Sequence, residues 1–250
     1  MLTNLESLFD MDELKTLDEE MCLGIATSEL RIPTPGINQI GVKNPNEIIQ
    51  KYNNSDKISH LTSFQQRMFM KLYDRAFLPA QSVYIRNHIN KYSEKWIEDK
   101  CEWHKNSIHF PKFIKWLNYS NVFESIGRIE VFMVDMFVPI PIHEDRSAAQ
   151  LPDDPKEFIW ININGDKPFW CIDDDGNKVY LGRVAWFDDE ILHGADPINW
   201  MAYSFRIDGI FTKEFREQAK AIKPQIPYSH GAKSVNPLWG NNWLEKMKLV

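Results

Sequence analysis

Cysteine is scarce in this sequence. The three cysteines, Cys22, Cys101 and Cys171, lie far apart along the chain and form no Cys-x-x-Cys pair. A disulfide framework or a structural zinc knuckle needs paired or closely spaced cysteines, so the sequence argues against both. A reducing compartment is the natural setting for such a chain.

An excess of positive charge is also missing. The 29 Lys and Arg residues are outnumbered by 35 Asp and Glu residues, which gives a net charge of −6. Nucleic acids and anionic membranes are bound by clustered basic residues, so we expect neither as a partner. No apolar run approaches the length of a membrane span, and residues 1–20 lack the basic region and apolar core of a signal peptide. We therefore expect a cytosolic protein.

The composition is that of a globular protein with a large core. The chain has 250 residues, of which 43% are hydrophobic and 13% aromatic, enough for one well-packed domain. Helical patterns come first and strand patterns follow, which favours an α+β fold. We predict a mainly helical part over residues 1–126, a strand-rich core over residues 127–212, and a C-terminal helix and tail over residues 213–250.

Three stretches of the N-terminal part have apolar residues at helical spacing. Residues 1–20 predict a short amphipathic helix, and a second helical pattern begins at Ser63. A third runs over residues 80–105, and its apolar stripe begins with Val83 and Ile85. We expect these helices to form a layer packed on one sheet.

The strand patterns lie in the second half of the chain. Alternating or continuous apolar runs predict strands at residues 128–141, 156–164, 168–172, 178–181, 184–187 and 201–211. An Asp-Gly pair within residues 173–177 predicts a tight hairpin turn, because glycine supplies the positive φ that such a turn needs. Residues 212–222 predict a further helix, and residues 242–249 a short terminal one.

Two histidines and one aspartate in the strand region have the pattern of a metal site. His143 ends a predicted strand and Asp145 follows two residues later, so both side chains point toward one place. His193 lies at a turn after the strand at residues 184–187. Two imidazoles and one carboxylate form the facial triad of non-haem Fe(II) oxygenases, which leaves positions open for a co-substrate and O2.

Together with Arg206, these residues resemble the H-x-D…H…R pattern of the 2-oxoglutarate/Fe(II)-dependent dioxygenase superfamily in type, order and spacing. The resemblance covers about residues 127–212. It implies a double-stranded β-helix (jelly-roll) core in which His143, Asp145 and His193 bind Fe(II) and carry the catalysis. It also implies a reaction that uses O2, releases succinate and CO2, and hydroxylates a substrate, for which we expect a small molecule.

The resemblance implies that 2-oxoglutarate chelates the iron and that Arg206 holds its far carboxylate, a task that suits the planar guanidinium. Ser204 and Asn162 are further candidates for the 2-oxoglutarate site. Strand alternation places Ser204, Arg206 and Asp208 on one face. Asp208 stands where the family more often has a small hydroxyl residue, so a salt bridge between Arg206 and Asp208 is the alternative role of the arginine.

Other readings of the same residues stay open. The site is also compatible with a cupin-like metal enzyme that does not use 2-oxoglutarate, with a zinc hydrolase, and with a non-catalytic β-sandwich binding module in which the histidines are incidental. Weaker candidates for the pocket are Asp135, Arg146, Trp160, Trp239 and Trp243. The sequence names neither the substrate nor the oligomeric state.

Overall fold

The protein combines helices with two antiparallel sheets. The structure is a computed structural model that describes residues 1–28, 80–88, 101–134, 139–143, 157–163, 167–189, 191–198 and 202–227. Its strands are β1 (Leu2–Asn4), β2 (Ala80–His88), β3 (Cys101–Trp103), β4 (Phe123–Val134), β5 (Ile140–His143), β6 (Phe158–Ile161), β7 (Phe169–Ile172), β8 (Lys178–Tyr180), β9 (Val184–Phe187), β10 (His193–Ala195) and β11 (Ala202–Phe211). Its helices are α1 (Met11–Lys15), α2 (Asp18–Thr27), α3 (Pro111–Tyr119) and α4 (Lys213–Ala221), with 3-10 turns at Glu6–Leu8 and Lys105–His109.

The strands form a large sheet and a small one. Seven strands pair in the order β1-β9-β6-β11-β4-β2-β3, and four pair in the order β5-β10-β7-β8. Every pairing between these strands is antiparallel. In the part of the chain that the structure describes, no helix is long and apolar enough to cross a membrane.

One face of the large sheet is covered by helices. Alternate residues of its strands, among them Val131 and Phe205, form one buried cluster with residues of α2 and α3. Phe113 of α3 meets Phe205 edge-on, with ring centroids 4.9 Å apart. A helical layer does cover one sheet, but in the described residues it is built from α1, α2 and α3 together with the C-terminal α4.

The other face of the large sheet meets the small sheet. A second apolar cluster joins Phe158, Trp160 and Phe187 of the large sheet to Phe169 and Cys171 of the small one. The Phe169 ring lies 5.2 Å from that of Trp160 and 5.7 Å from that of Phe187, measured between centroids. We call the space between the two sheets the inner face of the fold.

The helix predicted over residues 80–105 is wrong where the structure describes it. Ala80–His88 is a strand paired with β4, and Cys101–Trp103 pairs with it in turn. Val83 and Ile85 are fully buried on the helix-covered face. Residues two apart share a face of a strand, and β-branched side chains favour that conformation, so tertiary pairing with β4 decides the structure.

Several other sequence predictions are confirmed. The hairpin forms between β7 and β8, and Gly176 in its turn has a φ of 83°. The helix predicted at residues 212–222 is α4, whose N-terminus is capped by the Thr212 side chain.

The other helical predictions are not confirmed as they were made. Residues 1–20 contain a strand, a 3-10 turn, all of α1 and the start of α2 rather than one helix. The helical patterns at Ser63 and at residues 242–249 lie outside the described residues.

The N-terminus of α3 is capped by a residue from α2. Both carboxylate oxygens of Glu20 accept hydrogen bonds, from the backbone N–H groups of Lys112 at 2.9 Å and Phe113 at 2.8 Å. A carboxylate there satisfies two otherwise unpaired donors and opposes the positive end of the helix dipole. This contact joins α2 to α3 within the layer that covers the large sheet.

We expect Glu20→Ala to lower the free energy of unfolding by about 1 kcal/mol, the usual value of a lost cap. Glu19→Ala is the matched control, because Glu19 lies beside it in the first turn of α2 and is exposed. Urea unfolding of both variants measures the difference. Equal losses in the two variants would contradict the capping role.

Candidate active site

His143 and His193 face each other across two neighbouring strands. They are directly opposite in the antiparallel pairing of β5 with β10. Opposite residues of such a pair project from the same side of the sheet, and the two imidazole centroids are only 4.3 Å apart. His193 is 3% exposed and His143 is exposed, so the pair runs from the inner face to the surface.

The ring orientation of His193 is set by its own chain. Its Nδ1 lies 2.7 Å from the backbone oxygen of Ile191. A carbonyl oxygen only accepts hydrogen bonds, so Nδ1 carries the proton, and Nε2 is the unprotonated nitrogen of the neutral ring. Metal-binding histidines commonly have this arrangement. The rings of Phe169 and Phe187 lie 5.5 and 5.8 Å from the imidazole and shield it from water.

The third predicted ligand, Asp145, lies outside the described residues, as do Asp135 and Arg146. Within the described part of the chain, no group of three His, Cys, Asp or Glu residues is arranged so that it could hold a metal ion. Cys171 is directly opposite His193 on the other neighbouring strand, β7. Burial raises the pKa of this thiol.

Arg206 lies on the inner face, as its strand parity predicts, and pairs with acids there. Its guanidinium is 2.6 Å from the carboxylate of Asp208 and 2.9 Å from that of Asp189, and it stacks 3.7 Å from the centroid of Phe158. Asp208 also binds Arg128, which in turn pairs with Glu130 at 2.7 Å. The salt bridge that the sequence left as the alternative role of Arg206 is thus formed.

This set of buried ions, which we call the inner ion network, consists of Arg128, Glu130, Asp189, Arg206 and Asp208. All five side chains are at most 5% exposed. Within this set, two guanidinium groups pair with three carboxylates.

Lys167 is an inner-face cation that the sequence did not reveal. It is 6% exposed, and its ammonium donates to the hydroxyl of Ser204 at 2.8 Å. Burial lowers the pKa of Lys167 from 10.5 to about 7. Its context, between Asp166 and Pro168, is that of an ordinary loop lysine, and no local signal marks it as buried.

The other two predicted cofactor residues both contact Lys167. Ser204 is fully buried on the inner face and is the hydroxyl partner of the ammonium. Asn162 is also buried, and its side-chain amide donates to the backbone oxygen of Lys167 at 3.1 Å. Ser204 therefore contacts the ammonium of Lys167, and Asn162 contacts its backbone.

We expect Lys167→Met to stabilise the protein at neutral pH. Charging a buried lysine whose pKa falls from 10.5 to about 7 costs at most about 5 kcal/mol. Between those pKa values the unfolded chain binds the proton and the folded chain releases it, so the stability of the wild type rises with pH. The advantage of Lys167→Met should be largest below about pH 7 and shrink toward about pH 10.

Chemical unfolding across that pH range measures this difference. Lys115→Met is the matched control, since Lys115 is exposed on α3, and it should give a constant difference from the wild type. A Lys167→Met variant that is less stable than the wild type at neutral pH would contradict the buried, poorly solvated ammonium.

Comparisons with known proteins give distant structural neighbours only. No family model and no curated protein matches the sequence. The structure is similar to a 2OG-Fe(II) oxygenase family oxidoreductase from Burkholderia pseudomallei, with a TM-score of 0.36 and 14% identity over 52% of this chain and 66% of that chain. It is similar to a prolyl-4-hydroxylase from Pseudomonas putida, with a TM-score of 0.30 and 11% identity over 53% of this chain and 70% of that one.

A third neighbour is a prolyl hydroxylase from Trichoplax adhaerens, in complex with a hypoxia inducible factor peptide fragment. Its TM-score is 0.31, with 10% identity over 85% of this chain and 96% of that chain. This chain spans just 66% of the length of the Burkholderia protein. At such identities and TM-scores, the activities of these neighbours are properties of those proteins alone, and the chemistry of this chain depends on its own residues.

Proposed function

We propose that this chain is an Fe(II)- and 2-oxoglutarate-dependent oxygenase with a double-stranded β-helix core. The observation that carries the proposal is the histidine pair. Two imidazoles 4.3 Å apart sit opposite each other on adjacent strands, and one has its proton fixed on Nδ1 by a backbone carbonyl. The pair lies at the edge of an inner face that also holds the buried cations Lys167 and Arg206.

The three predicted ligands are of the types that bind Fe(II). His143, Asp145 and His193 would supply two neutral nitrogens and one carboxylate, which is the ligand set that leaves three adjacent positions open on Fe(II). Asp145 lies outside the described residues; its part in this set is proposed from the sequence, where it follows His143 by two residues. Bound iron, 2-oxoglutarate and O2 together supply the oxidation, in which one oxygen atom enters succinate as CO2 leaves and the other enters a C–H bond of the substrate.

The protein's own groups have three tasks in this proposal. The carbonyl of Ile191 holds the His193 ring with its proton on Nδ1, so Nε2 is the nitrogen that would bind the metal. The rings of Phe169 and Phe187 keep water from the buried imidazole, which strengthens electrostatic interactions at the site. A buried cation of the inner face would neutralise the far end of a bound dicarboxylate, and Arg206 is the residue predicted from sequence for that role.

The substrate remains a prediction, namely a small molecule. It is supported by the acidic net charge of −6, which disfavours a nucleic-acid substrate. The exposed side of His143 is where such a substrate would approach, because the opposite side of the pair is packed against aromatic rings.

The visible spectrum of the protein with Fe(II) and 2-oxoglutarate, recorded without oxygen, tests the proposal. We expect a weak charge-transfer band that needs both ligands and disappears in His193→Ala. His109→Ala is the matched control and should keep the band, since His109 lies in the 3-10 turn before α3, away from the histidine pair.

Each of the other possible results would support a different function for this chain. Stoichiometric iron without a band on addition of 2-oxoglutarate would favour the cupin-like reading. A preference for zinc, with no response to 2-oxoglutarate, would favour a hydrolase. No metal in the wild type would leave a binding module and would contradict the proposal.

A further inference from the structure

Lys167 is a buried cation with a neutral partner. An ammonium offers three hydrogen-bond donors, and the one hydrogen bond it makes to a described residue goes to the Ser204 hydroxyl. Its other neighbours are the faces of Phe132 and Phe169, each with its centroid 5.9 Å from Nζ. No carboxylate of the described residues lies within salt-bridge distance of it. Buried charges are normally paired, so the charged form of Lys167 raises the free energy of the folded protein unless an anion binds there.

Arg206 has the opposite environment. Asp189 and Asp208 already bind its guanidinium at 2.9 and 2.6 Å. A further carboxylate at Arg206 would lie beside these two buried carboxylates, which already bind the same guanidinium. Like charges in a site of low dielectric repel strongly, so the network is a poor place for another anion.

Lys167 is also placed close to the histidine pair. The Phe169 ring lies 5.9 Å from the Lys167 nitrogen and 5.5 Å from the His193 ring, so the same aromatic side chain neighbours both groups. An elongated molecule with one end at His193 and an anionic group at its other end can therefore extend along Phe169 toward the ammonium.

We propose that Lys167 and Ser204, rather than Arg206, bind the far carboxylate of the 2-oxo acid co-substrate. This inference rests on the proposed function and names the residues that select a dicarboxylate. The remaining two N–H groups of the ammonium donate to the carboxylate. The Ser204 oxygen accepts from the lysine, which leaves its O–H to donate to the same anion.

The neighbouring residues then have positioning roles. Asn162 fixes the backbone of Lys167 through its carbonyl oxygen. Arg206 holds Asp189 and Asp208 and is a structural cation of the inner ion network. Its complete removal would leave two buried carboxylates without this partner, so Arg206→Lys, which keeps the charge, is the informative substitution.

The test compares two 2-oxo acids that differ at one end. 2-Oxopentanoate has the length of 2-oxoglutarate but carries a methyl group in place of the far carboxylate. The dissociation constant of each acid is measured without oxygen, from the charge-transfer band of the Fe(II) protein, in the wild type, Lys167→Met, Lys167→Arg and Arg206→Lys. The ratio of the two constants reports the far-carboxylate site and does not depend on turnover.

We expect the wild type to prefer 2-oxoglutarate and Lys167→Met to lose that preference by at least about tenfold, the effect of a lost charge-assisted hydrogen bond. Affinity for 2-oxopentanoate should change little in Lys167→Met. Lys167→Arg should restore part of the preference and Arg206→Lys should keep it. Because Lys167→Met is expected to be more stable than the wild type, unfolding cannot account for the loss.

Different results separate the two proposals. A preference that survives in Lys167→Met and falls in Arg206→Lys would overturn the inference and return the role to Arg206. Equal binding of both acids by the wild type would overturn it as well, while the iron site stands. Absence of a band with either acid in the wild type would remove the proposed function and the inference together.

Discussion

The strict alternation of strand β11 is the constraint on which both halves of the protein depend. Tyr203, Phe205 and Ile207 are fully buried on the side that the helices cover. Residues between them on the same strand, Ser204 and Arg206, face the small sheet. Since a shift of one residue would exchange the two sets, the apolar packing with α2 and α3 also fixes where the polar groups of the inner face lie.

The inner face contains two cations whose electrostatic environments differ. Arg206 is neutralised within the fold, by Asp189 and Asp208, and therefore belongs to the structure of the sheet. Lys167 has a hydroxyl partner and a pKa lowered to about 7 by burial. The presence of a buried cation that lowers the stability of the fold is more readily explained by ligand binding than by folding. Arg206, which is paired with two carboxylates, is explained by its contribution to the folded structure.

Much of the strand region was predictable because its signals are local. The Asp-Gly turn before Lys178 and the strand predicted at residues 156–164 depend on backbone conformation and alternation, and the hairpin and β6 confirm them. The face shared by Ser204 and Arg206 follows from the same rule. That His143 and His193 lie opposite each other could not be predicted in this way, because it depends on the pairing of β5 with β10, which the sequence pattern does not show.

What the sequence did not predict depends on distant contacts. Val83 and Ile85 satisfy both a helical and a strand pattern over a short window, and pairing with β4 decides between them. Lys167 resembles a solvated loop residue, and its burial arises from Phe132 and Ser204, which are remote in the sequence. The partners of Arg206 include Asp189, whose approach likewise requires the folded sheet.

The most direct test of the account is a crystal structure of the protein grown with Mn(II) and 2-oxoglutarate, in which Mn(II) replaces the oxygen-sensitive iron. The account predicts one metal ion bound by the imidazoles of His143 and His193 and the carboxylate of Asp145. It also predicts the far carboxylate of the 2-oxo acid on the Lys167 ammonium. A well-ordered histidine pair with no metal between its rings, at saturating Mn(II) and 2-oxoglutarate, would contradict the central claim.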